Sequence, residues 1–557
     1  MQLHSCAKAL EIWKSNPKET FQIEERAVAG VKAEAETEDV EMVARAEAET
    51  EDVVREAAME EVVTVTRKKE RAMERGQRVQ VRIEDQTAEG QGLGKNNGLA
   101  IFVKGAVVGD LVEVEITKVK KKYAFARLVE LIEPSEYRVK GQCQYNGICG
   151  GCSYGDISYE GQLVIKQRQV ADKLQRLGGV EAPVVRSIKG MKVPYRFRNK
   201  ASMPISTGGI ITRKGGVVEN LGEPTVGFYK AKSHDVVDCT ECMLQSEPAM
   251  AVAEALRRFM KEDNITAYDP KWEKGLMRHL VVKTARGTGE VMVVLVINGK
   301  GIPNAEKLIG YLDDAIYNLP LREDESAYNL ESVVINVNKK NTSEILGTEC
   351  ITLAGKSTIL DHACGLDFEI SPLAFYQVNP IQMEVLYDQA MEYADLKGDE
   401  TVLDLYCGIG TIGLVAASRG AGRVIGIESV KGAVLDANRN AVINGIVNAR
   451  YVCGKAEEEL PKLLSGEDLK DSSLKVDRAD VVFLDPPRAG CDTRLLDAVA
   501  SAEPQRIVYV SCDPATLSRD VKYLGEHGYG FVEATPVDLF PNSHHTEVVA
   551  LLSRIDR

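Results

Sequence analysis

The sequence of 557 residues lacks the features of a membrane-bound or exported protein. No apolar run reaches the length of about 18 residues that a transmembrane helix requires, and residues 1–21 lack the apolar core of a secretory signal. The twelve cysteines therefore indicate reduced thiols, a metal centre or catalysis, and not a disulfide framework. We expect a cytoplasmic protein with no membrane partner.

The sequence also lacks an excess of basic residues. It has 69 Lys and Arg against 83 Asp and Glu, a formal net charge of −14, so any affinity for RNA must come from local patches. One patch lies in residues 186–232, which hold ten basic residues against Glu219 and Glu223. A smaller cluster, Lys118 and Lys120–Lys122, precedes Tyr123. Taken alone, either cluster is more typical of a solvated surface.

Residues 1–75 differ in composition from the rest of the chain. They carry 12 basic and 18 acidic residues, and the octapeptide AEAETEDV occurs twice, at 33–40 and 46–53. This duplicated acidic, alanine-rich stretch is too short for a solenoid. It predicts a disordered or frayed-helix extension.

Residues 76–135 show the alternation of short β-strands. A glycine-rich stretch, Glu89–Gly94, is predicted to be a turn between the first two strands. Short strands with glycine corners favour a small β-barrel of the OB type. The predicted strands are centred on Val79–Ile83, Ala100–Val103, Val112–Ile116 and Ala126–Ile132.

Three closely spaced cysteines, Cys143, Cys149 and Cys152, follow the predicted barrel, with two glycines between the last pair. A tight turn there can aim the thiolates at one point. Cys242 is a candidate fourth ligand, and Cys239 competes with it. Zinc and a [4Fe–4S] cluster both accept four thiolates, and unligated thiols are the third reading.

Residues 136–375 are predicted to form a central α+β domain. A helix is predicted over residues 160–177, and strand-like runs occupy 280–284, 291–297 and 332–337. Between them, Pro194–Lys200 interleaves aromatic residues with Arg196, Arg198 and Lys200. That pattern is typical of surfaces that stack bases and pair with phosphates, but an ordinary amphipathic strand shows it equally.

Residues 376–557 are predicted to form an α/β domain of the doubly wound, Rossmann-like type. Gly408 and Gly410 follow its first strand and open a helix, where their backbone can approach a ligand closely. Glu428 ends the next strand and suits a pair of ribose hydroxyls. This pattern alone does not separate NAD from S-adenosylmethionine. The predicted elements are a helix over 381–394, a strand over 401–404, a helix over 411–418 and strands over 424–427 and 481–484.

Two further motifs carry reactive side chains. Asp485-Pro-Pro-Arg488 follows an apolar strand, and Cys512 follows the β-rich run that includes Tyr509. Glu547 lies downstream of two histidines. A thiol and a carboxylate can serve as nucleophile and general base, although a lone buried cysteine is as often structural.

Four motifs occur in one order along the chain: Leu403–Thr411, Phe483–Arg488, Tyr509–Asp520 and His544–Glu547. Together they resemble the RNA uracil-C5 methyltransferases, which use S-adenosylmethionine, and the resemblance covers about residues 76–557. It implies that the Cys512 thiolate adds to uracil C6 and that Glu547 then removes the C5 proton. It also implies that the predicted barrel is a TRAM domain, an RNA-binding module.

The resemblance implies further ligand-binding residues. Cys143, Cys149, Cys152 and Cys242 would hold a [4Fe–4S] cluster, and Cys242 is preferred over Cys239 because Met-Leu-Gln245 follows it. Arg196, Arg198 and Lys200 would contact RNA. The residues that would contact S-adenosylmethionine are Gln377, Tyr406, Gly408, Gly410, Thr411, Glu428 and Asp485.

The favoured interpretation is a monomeric methyltransferase that makes 5-methyluridine in 23S ribosomal RNA and does not act on DNA. A tRNA uridine-C5 methyltransferase is the first alternative. A non-catalytic RNA-binding protein is an alternative of another class, and the presence of Cys512 and Glu547 opposes it. A nicotinamide oxidoreductase is opposed by the turn pattern and by the Asp-Pro-Pro motif.

Overall fold

The computed structural model describes residues 73–87, 89–213, 216–467, 469 and 471–555. All the elements named below belong to the unit formed by residues 75–557. The predicted acidic extension, residues 1–75, lies almost entirely outside the described residues. None of the helices in the described ranges combines the length and the apolar character needed to cross a bilayer.

Five strands close into an N-terminal barrel in the order β1-β2-β3-β5-β4, which confirms the predicted barrel. Val112, Val114 and Ile116 alternate along one strand and are fully buried inside it, as the two-residue period of a strand requires. The strands are β1 Arg78–Gln86, β2 Gln91–Asn96, β3 Leu99–Lys104, β4 Leu111–Val119 and β5 Tyr123–Glu133.

The glycine-rich stretch is only partly a turn. Residues 91–94 lie within β2, so the predicted turn over Glu89–Gly94 is wrong for most of its length. The reason is steric: a Cβ atom on Gly94 would lie 2.4 Å from a methyl carbon of Val81. Glycine here lets β2 pass close to β1.

The central region contains a seven-stranded sheet in the order β12-β11-β10-β9-β6-β7-β8, which confirms the predicted α+β domain. Two helices cover one face, where Leu256 and Phe259 of one helix and Leu312 of the other share a core with the sheet. The elements are α1 Tyr159–Arg176, β6 Lys200–Arg213, β7 Gly216–Tyr229, β8 Val236–Asp238, α2 Glu247–Glu262, β9 Met277–Thr284, β10 Glu290–Ile297, α3 Ala305–Tyr317, β11 Asn329–Val337 and β12 Glu349–Gly355.

The C-terminal region is a second seven-stranded sheet with helices packed against it. Its order is β17-β16-β15-β18-β19-β21-β20, with the first five strands parallel and β21 antiparallel to both of its neighbours. This confirms the predicted α/β domain. The elements are α4 Pro380–Ala394, β15 Thr401–Leu405, α5 Thr411–Ser418, β16 Arg423–Glu428, α6 Lys431–Ile443, β17 Ala449–Cys453, α7 Ala456–Ser465, a 3₁₀ turn Ser472–Leu474, β18 Val481–Leu484, α8 Thr493–Ser501, β19 Arg506–Ser511, α9 Pro514–Glu526, β20 Tyr529–Val537 and β21 Glu547–Arg554.

Two segments that precede residue 376 pack against this second sheet. Helix α1 buries Val170 and Leu174 in the same core as Leu403. A hairpin of β13 Ile359–Ala363 and β14 Leu366–Ile370 contacts α6 and β10 and shares the core on the other face of the sheet. The domain boundaries at 135 and 375 stay predictions.

Candidate active site

The predicted reactive residues lie at one edge of the C-terminal sheet. Glu428 ends β16, while Asp485 and Cys512 directly follow β18 and β19. These strands are parallel to β15, so their carboxyl ends meet at the edge where open α/β sheets bind ligands. The fold therefore brings together side chains that are more than 80 residues apart in the sequence.

The antiparallel strand β21 supplies the remaining reactive residue. Ser511 of β19 pairs with Val548 of β21, and this register sets Cys512 opposite Glu547. Cys512 is half-buried, whereas the Glu547 side chain is almost fully buried, at 4% relative exposure. The nucleophile and base candidates therefore lie in one site, close enough for the charge of Glu547 to act on the Cys512 thiol.

Burial dominates the protonation of this pair. It raises the pKa of the Cys512 thiol to about 11, and the charge of Glu547 contributes to that rise. Burial raises the pKa of Glu547 to about 8, with a smaller rise from Asp485 and an opposing effect of Arg488. A carboxyl group with a raised pKa is a stronger base once it is ionised.

Arg488 places a positive charge beside Cys512 and Glu547. It lowers the pKa of both Cys512 and Glu547, although burial outweighs it at each. One of its terminal nitrogens donates to Nε2 of His545 at 3.3 Å.

The predicted cofactor loop has the backbone that its glycines suggest. Tyr406, Gly408 and Gly410 all have positive φ angles, of 67°, 56° and 83°. The N–H of Gly408 donates to a carboxylate oxygen of Glu428 at 3.1 Å, which fixes the acidic side chain beside the loop. A Cβ atom on Gly410 would lie 2.6 Å from the hydroxyl of Tyr451, so glycine is required there on steric grounds as well.

Asp404 is a pocket residue that the sequence analysis did not single out. One of its carboxylate oxygens accepts from the N–H of Gly413 at 2.8 Å, and the other is buried without a hydrogen-bond partner. Burial raises the pKa of Asp404 to about 7. Asp485 keeps part of its surface accessible, yet the protein around it also raises its pKa to about 7. For Asp404, the signal in the sequence was an acidic residue inside the apolar run of β15.

These groups fit S-adenosylmethionine. An unpartnered carboxylate oxygen at Asp404 suits a ligand that is a hydrogen-bond donor or a cation, and Glu428 suits ribose hydroxyls. Thr411 opens α5, and its hydroxyl lies 3.0 Å from that of Tyr387. Gln377 is buried, and its backbone carbonyl accepts a hydrogen bond from the side-chain nitrogen of Asn199 at 3.0 Å.

Five cysteines of the central region line one cavity of about 410 Å³. Within the described ranges, no three Cys, His, Asp or Glu side chains already converge as a metal site. Backbone N–H groups point at two of the sulfurs, from Tyr145 to Cys143 and from Gly151 to Cys149, both at 3.4 Å. The cavity wall contains Cys143, Cys149, Cys152, Cys239 and Cys242.

The three predicted RNA-binding cations do not form one exposed patch. Arg196 is exposed, but it donates to the carbonyl of Cys242 at 2.6 Å. Arg198 and Lys200 are half-buried and line the wall of the cysteine cavity. The Nε of Arg198 is buried without a partner.

The outer surface of the barrel carries an aromatic cluster next to exposed lysines. The rings of Phe102, Tyr123 and Phe125 lie with their centroids 5.5–5.6 Å apart, and Tyr123 is 37% exposed. Lys118 and Lys120–Lys122 are all exposed in the adjoining strand and turn. Aromatic rings beside cations are the elements of a base-stacking surface.

A Rossmann-like sheet with this ligand-binding edge, joined to a small barrel, defines an enzyme that uses a nucleotide-type cofactor. Comparison with known protein families agrees: residues 359–555 match the tRNA (Uracil-5-)-methyltransferase family, and residues 72–129 match the TRAM domain.

The chain is 44% identical over 481 residues to an uncharacterized RNA methyltransferase of Caldanaerobacter subterraneus subsp. tengcongensis, covering 86% of this chain and 99% of the relative. It is 42% identical over 465 residues to an uncharacterized RNA methyltransferase of Clostridium tetani, covering 84% and 94%. Among solved structures, it is similar to the Pyrococcus abyssi tRNA (uracil-54, C5)-methyltransferase in complex with S-adenosyl-L-homocysteine. That similarity has 28% identity and a TM-score of 0.63, and it covers 85% of this chain and 99% of that one.

The chain therefore belongs to the TRAM-containing RNA uracil-C5 methyltransferase family. It is an S-adenosylmethionine-dependent RNA uracil-C5 methyltransferase.

Proposed function

We propose that this enzyme methylates C5 of uridine in 23S ribosomal RNA, with Cys512 as the nucleophile and Glu547 as the base. The observation that supports these roles is the pairing of β19 with β21, which sets Cys512 opposite Glu547. The target uridine has to leave its stack to reach a pocket at the edge of a sheet.

The proposed reaction starts with addition of the Cys512 thiolate to uracil C6. The electron pair of the C5–C6 double bond moves toward O4, and C5 becomes nucleophilic. C5 then bonds to the methyl group of S-adenosylmethionine, and the electron pair of the broken bond stays on the cofactor sulfur. Finally, the Glu547 carboxylate takes the C5 proton, the C5–C6 double bond re-forms, and the thiolate leaves C6.

In this scheme, Arg488 stabilises the thiolate of Cys512. Burial raises the pKa of the Cys512 thiol, so its thiolate needs a nearby positive charge. Arg488 provides that charge and also favours the ionised form of Glu547. Its contact with His545 holds the guanidinium in place.

The proposed cofactor site consists of the loop after β15 and its neighbours. Glu428, held by Gly408, would accept from the ribose hydroxyls, and Asp485 and Gln377 would line the methionine end. The remaining proposed contacts are Tyr406, Gly410 and Thr411.

We further propose a [4Fe–4S] cluster on Cys143, Cys149, Cys152 and Cys242. The donor chemistry fits, because these four thiols share one cavity wall and backbone N–H groups point at the sulfurs of Cys143 and Cys149. Cys242 also accepts from the backbone N–H groups of Leu244 and Gln245, and such bonds stabilise thiolates bound to clusters. A bound cluster would cross-link residues 143–152 to residue 242.

Transfer RNA is the second candidate substrate. The similarity to the Pyrococcus abyssi tRNA (uracil-54, C5)-methyltransferase over 85% of this chain favours it. Ribosomal RNA is favoured by the combination of a barrel with a cysteine cavity. Mapping 5-methyluridine in both RNAs from cells with and without the gene separates the two. Loss confined to tRNA would replace the ribosomal assignment.

The catalytic roles are tested by two variants. We expect Cys512→Ala to lose methyl transfer while S-adenosylmethionine still binds, because the thiol activates the base and does not hold the cofactor. We expect Glu547→Gln to trap a covalent protein–RNA adduct that survives denaturation, because proton removal stops after methyl transfer.

The exposed Cys350, on β12 of the central sheet, gives a matched control, since Cys350→Ala leaves the proposed active-site residues in place. Appreciable turnover by Cys512→Ala would exclude Cys512 as the nucleophile. Normal turnover by Glu547→Gln would exclude Glu547 as the base.

A further inference from the structure

The nine residues 538–546 connect β20 to β21 and lead directly to Glu547. Helix α1 and the segment before it form hydrogen bonds with much of this connection. The ammonium of Lys166, on α1, donates to the carboxylate of Asp538 at 2.6 Å and to the carbonyl of Phe540 at 2.9 Å. Both side chains of this ion pair are fully buried.

Gln162, one turn earlier on α1, holds the middle of the connection. Its side-chain oxygen accepts from the N–H of Asn542 at 2.7 Å. Its amide nitrogen donates to the carbonyls of Ile157 at 2.9 Å and Tyr154 at 3.3 Å. Gln162 is 1% exposed, and Asn542 has a left-handed φ of 65°. One buried amide therefore joins two irregular segments.

The segment that follows Cys152 holds the last part of the connection. The N–H of Tyr154 donates to the carbonyl of Asn542 at 3.1 Å. The hydroxyl of Ser153 accepts from the N–H of His544 at 2.9 Å and lies 3.1 Å from its Nδ1. The ring of His544 is 4.0 Å from that of His545, the residue that contacts Arg488.

We propose that residues 153–166 form a clamp that positions Glu547 for proton removal, with Gln162 as its central positioning residue. The nine-residue connection has no regular structure of its own in the described residues, so the clamp supplies hydrogen bonds that a helix or sheet would otherwise provide. Displacing a catalytic group by about 1 Å can cost roughly 100-fold in rate. The proposal rests on Glu547 being the base.

The test separates methyl transfer from proton removal. RNA carrying [5-³H]uridine releases tritium only when the C5 proton leaves, whereas labelled S-adenosylmethionine reports methyl transfer. In a single turnover, with enzyme in excess over RNA, we expect Gln162→Met to transfer the methyl group within about twofold of the wild-type rate, to release tritium at least about tenfold more slowly, and to accumulate a covalent adduct. A variant that was merely destabilised would lose both signals together and accumulate no adduct.

Gln175→Met is the matched control, because Gln175 lies on the same helix but donates to Glu181 and should leave both rates unchanged. Ser153→Ala tests the clamp at its other end if Gln162→Met fails to fold, with the same pattern expected. Equal loss of both signals without an adduct overturns the clamp. If Glu547→Gln itself forms no adduct, the assignment of the base fails instead.

Discussion

The acidic residues of the pocket hold their protons more tightly than free side chains do. Burial raises the pKa of Glu547 to about 8 and those of Asp404 and Asp485 to about 7. Three carboxyl groups near one another in a poorly solvated site cannot all ionise cheaply. A positively charged sulfonium in the same pocket would favour their ionised forms, so the charge distribution suits the cofactor.

Glu547 should make stability depend on pH. Its folded-state pKa lies above the ordinary value of 4.5, so its contribution is fully present below about pH 4.5 and is lost as the pH rises through about 8. The melting temperature of Glu547→Gln, minus that of the wild type, should therefore rise by several degrees between pH 5 and 8.5. Differential scanning calorimetry at each pH measures this difference in melting temperature. Glu526→Gln, at an exposed position, should show no such trend, and a flat difference for Glu547→Gln would contradict the raised pKa.

The sequence predicted residues when the chemistry required a particular side chain. Cys512 and Glu547 were proposed through the resemblance to a family whose addition and proton-removal steps need a thiol and a base, and their roles stay predictions. The role of Asp404 could not be proposed, because its unpartnered oxygen depends on the packing of β15 between β16 and β18. Arg198 and Lys200 show the opposite outcome: their charge suggested an exposed surface, but the fold half-buries both beside the cysteine cavity.

At the level of elements, hydrogen bonds around the cysteine cavity distinguish Cys242 from Cys239 as the candidate fourth ligand. Cys242 accepts backbone N–H bonds from residues two and three positions ahead, as a ligand in a tight turn does, whereas Cys239 is buried and bonds to the thiol of Cys149. In anaerobically purified protein, Cys242→Ser should lose most of about four iron atoms per chain, while Cys239→Ser should keep most of them. Iron analysis with visible absorbance measures this. One zinc per chain, or the reverse pattern, would refute the assignment.

The barrel surface provides a test of RNA binding. Stacking of a base on an aromatic ring contributes about 1–3 kcal/mol by alanine substitution. We expect Tyr123→Ala to weaken RNA affinity by that amount and to leave affinity for S-adenosylmethionine unchanged. Tyr317→Ala, at another exposed tyrosine, is the control for fluorescence-anisotropy titrations. Equal affinities for the two variants would exclude the aromatic cluster as a stacking surface.

Element bounds followed from the sequence where one periodicity dominated. The helix at 411–418 and the strand at 481–484 were predicted to the residue, because apolar runs there begin and end at glycines, prolines or charges. Strand β2 was missed because its glycines resemble a turn, and only the proximity of Val81 explains them. The packing of α1 against the C-terminal sheet was not predictable, since its amphipathic pattern does not specify which apolar surface it covers.

At the scale of the whole molecule, the acidic N-terminal residues should be dispensable for catalysis. Residues 1–75 carry a net charge of −6, which disfavours contact with phosphates, and the catalytic elements all lie in residues 75–557. Deleting residues 1–72 should leave kcat and KM for RNA within about twofold, because surface charge outside a binding site has small effects. Steady-state kinetics with circular dichroism checks this. A large loss of methylation by a folded variant would show that these residues contribute to function.

The position of β21 between β19 and β20 also orders the events of biosynthesis. The cofactor loop and Cys512 leave the ribosome first, and strand β20 follows them, but the base arrives only with β21. Strand β21 must insert between two strands that are synthesised before it. A chain that has been made only as far as β20 therefore contains Cys512, the proposed nucleophile, but not Glu547, the base that would allow Cys512 to leave the RNA. Catalytic competence therefore depends on β21 taking its place between β19 and β20, which brings Glu547 beside Cys512.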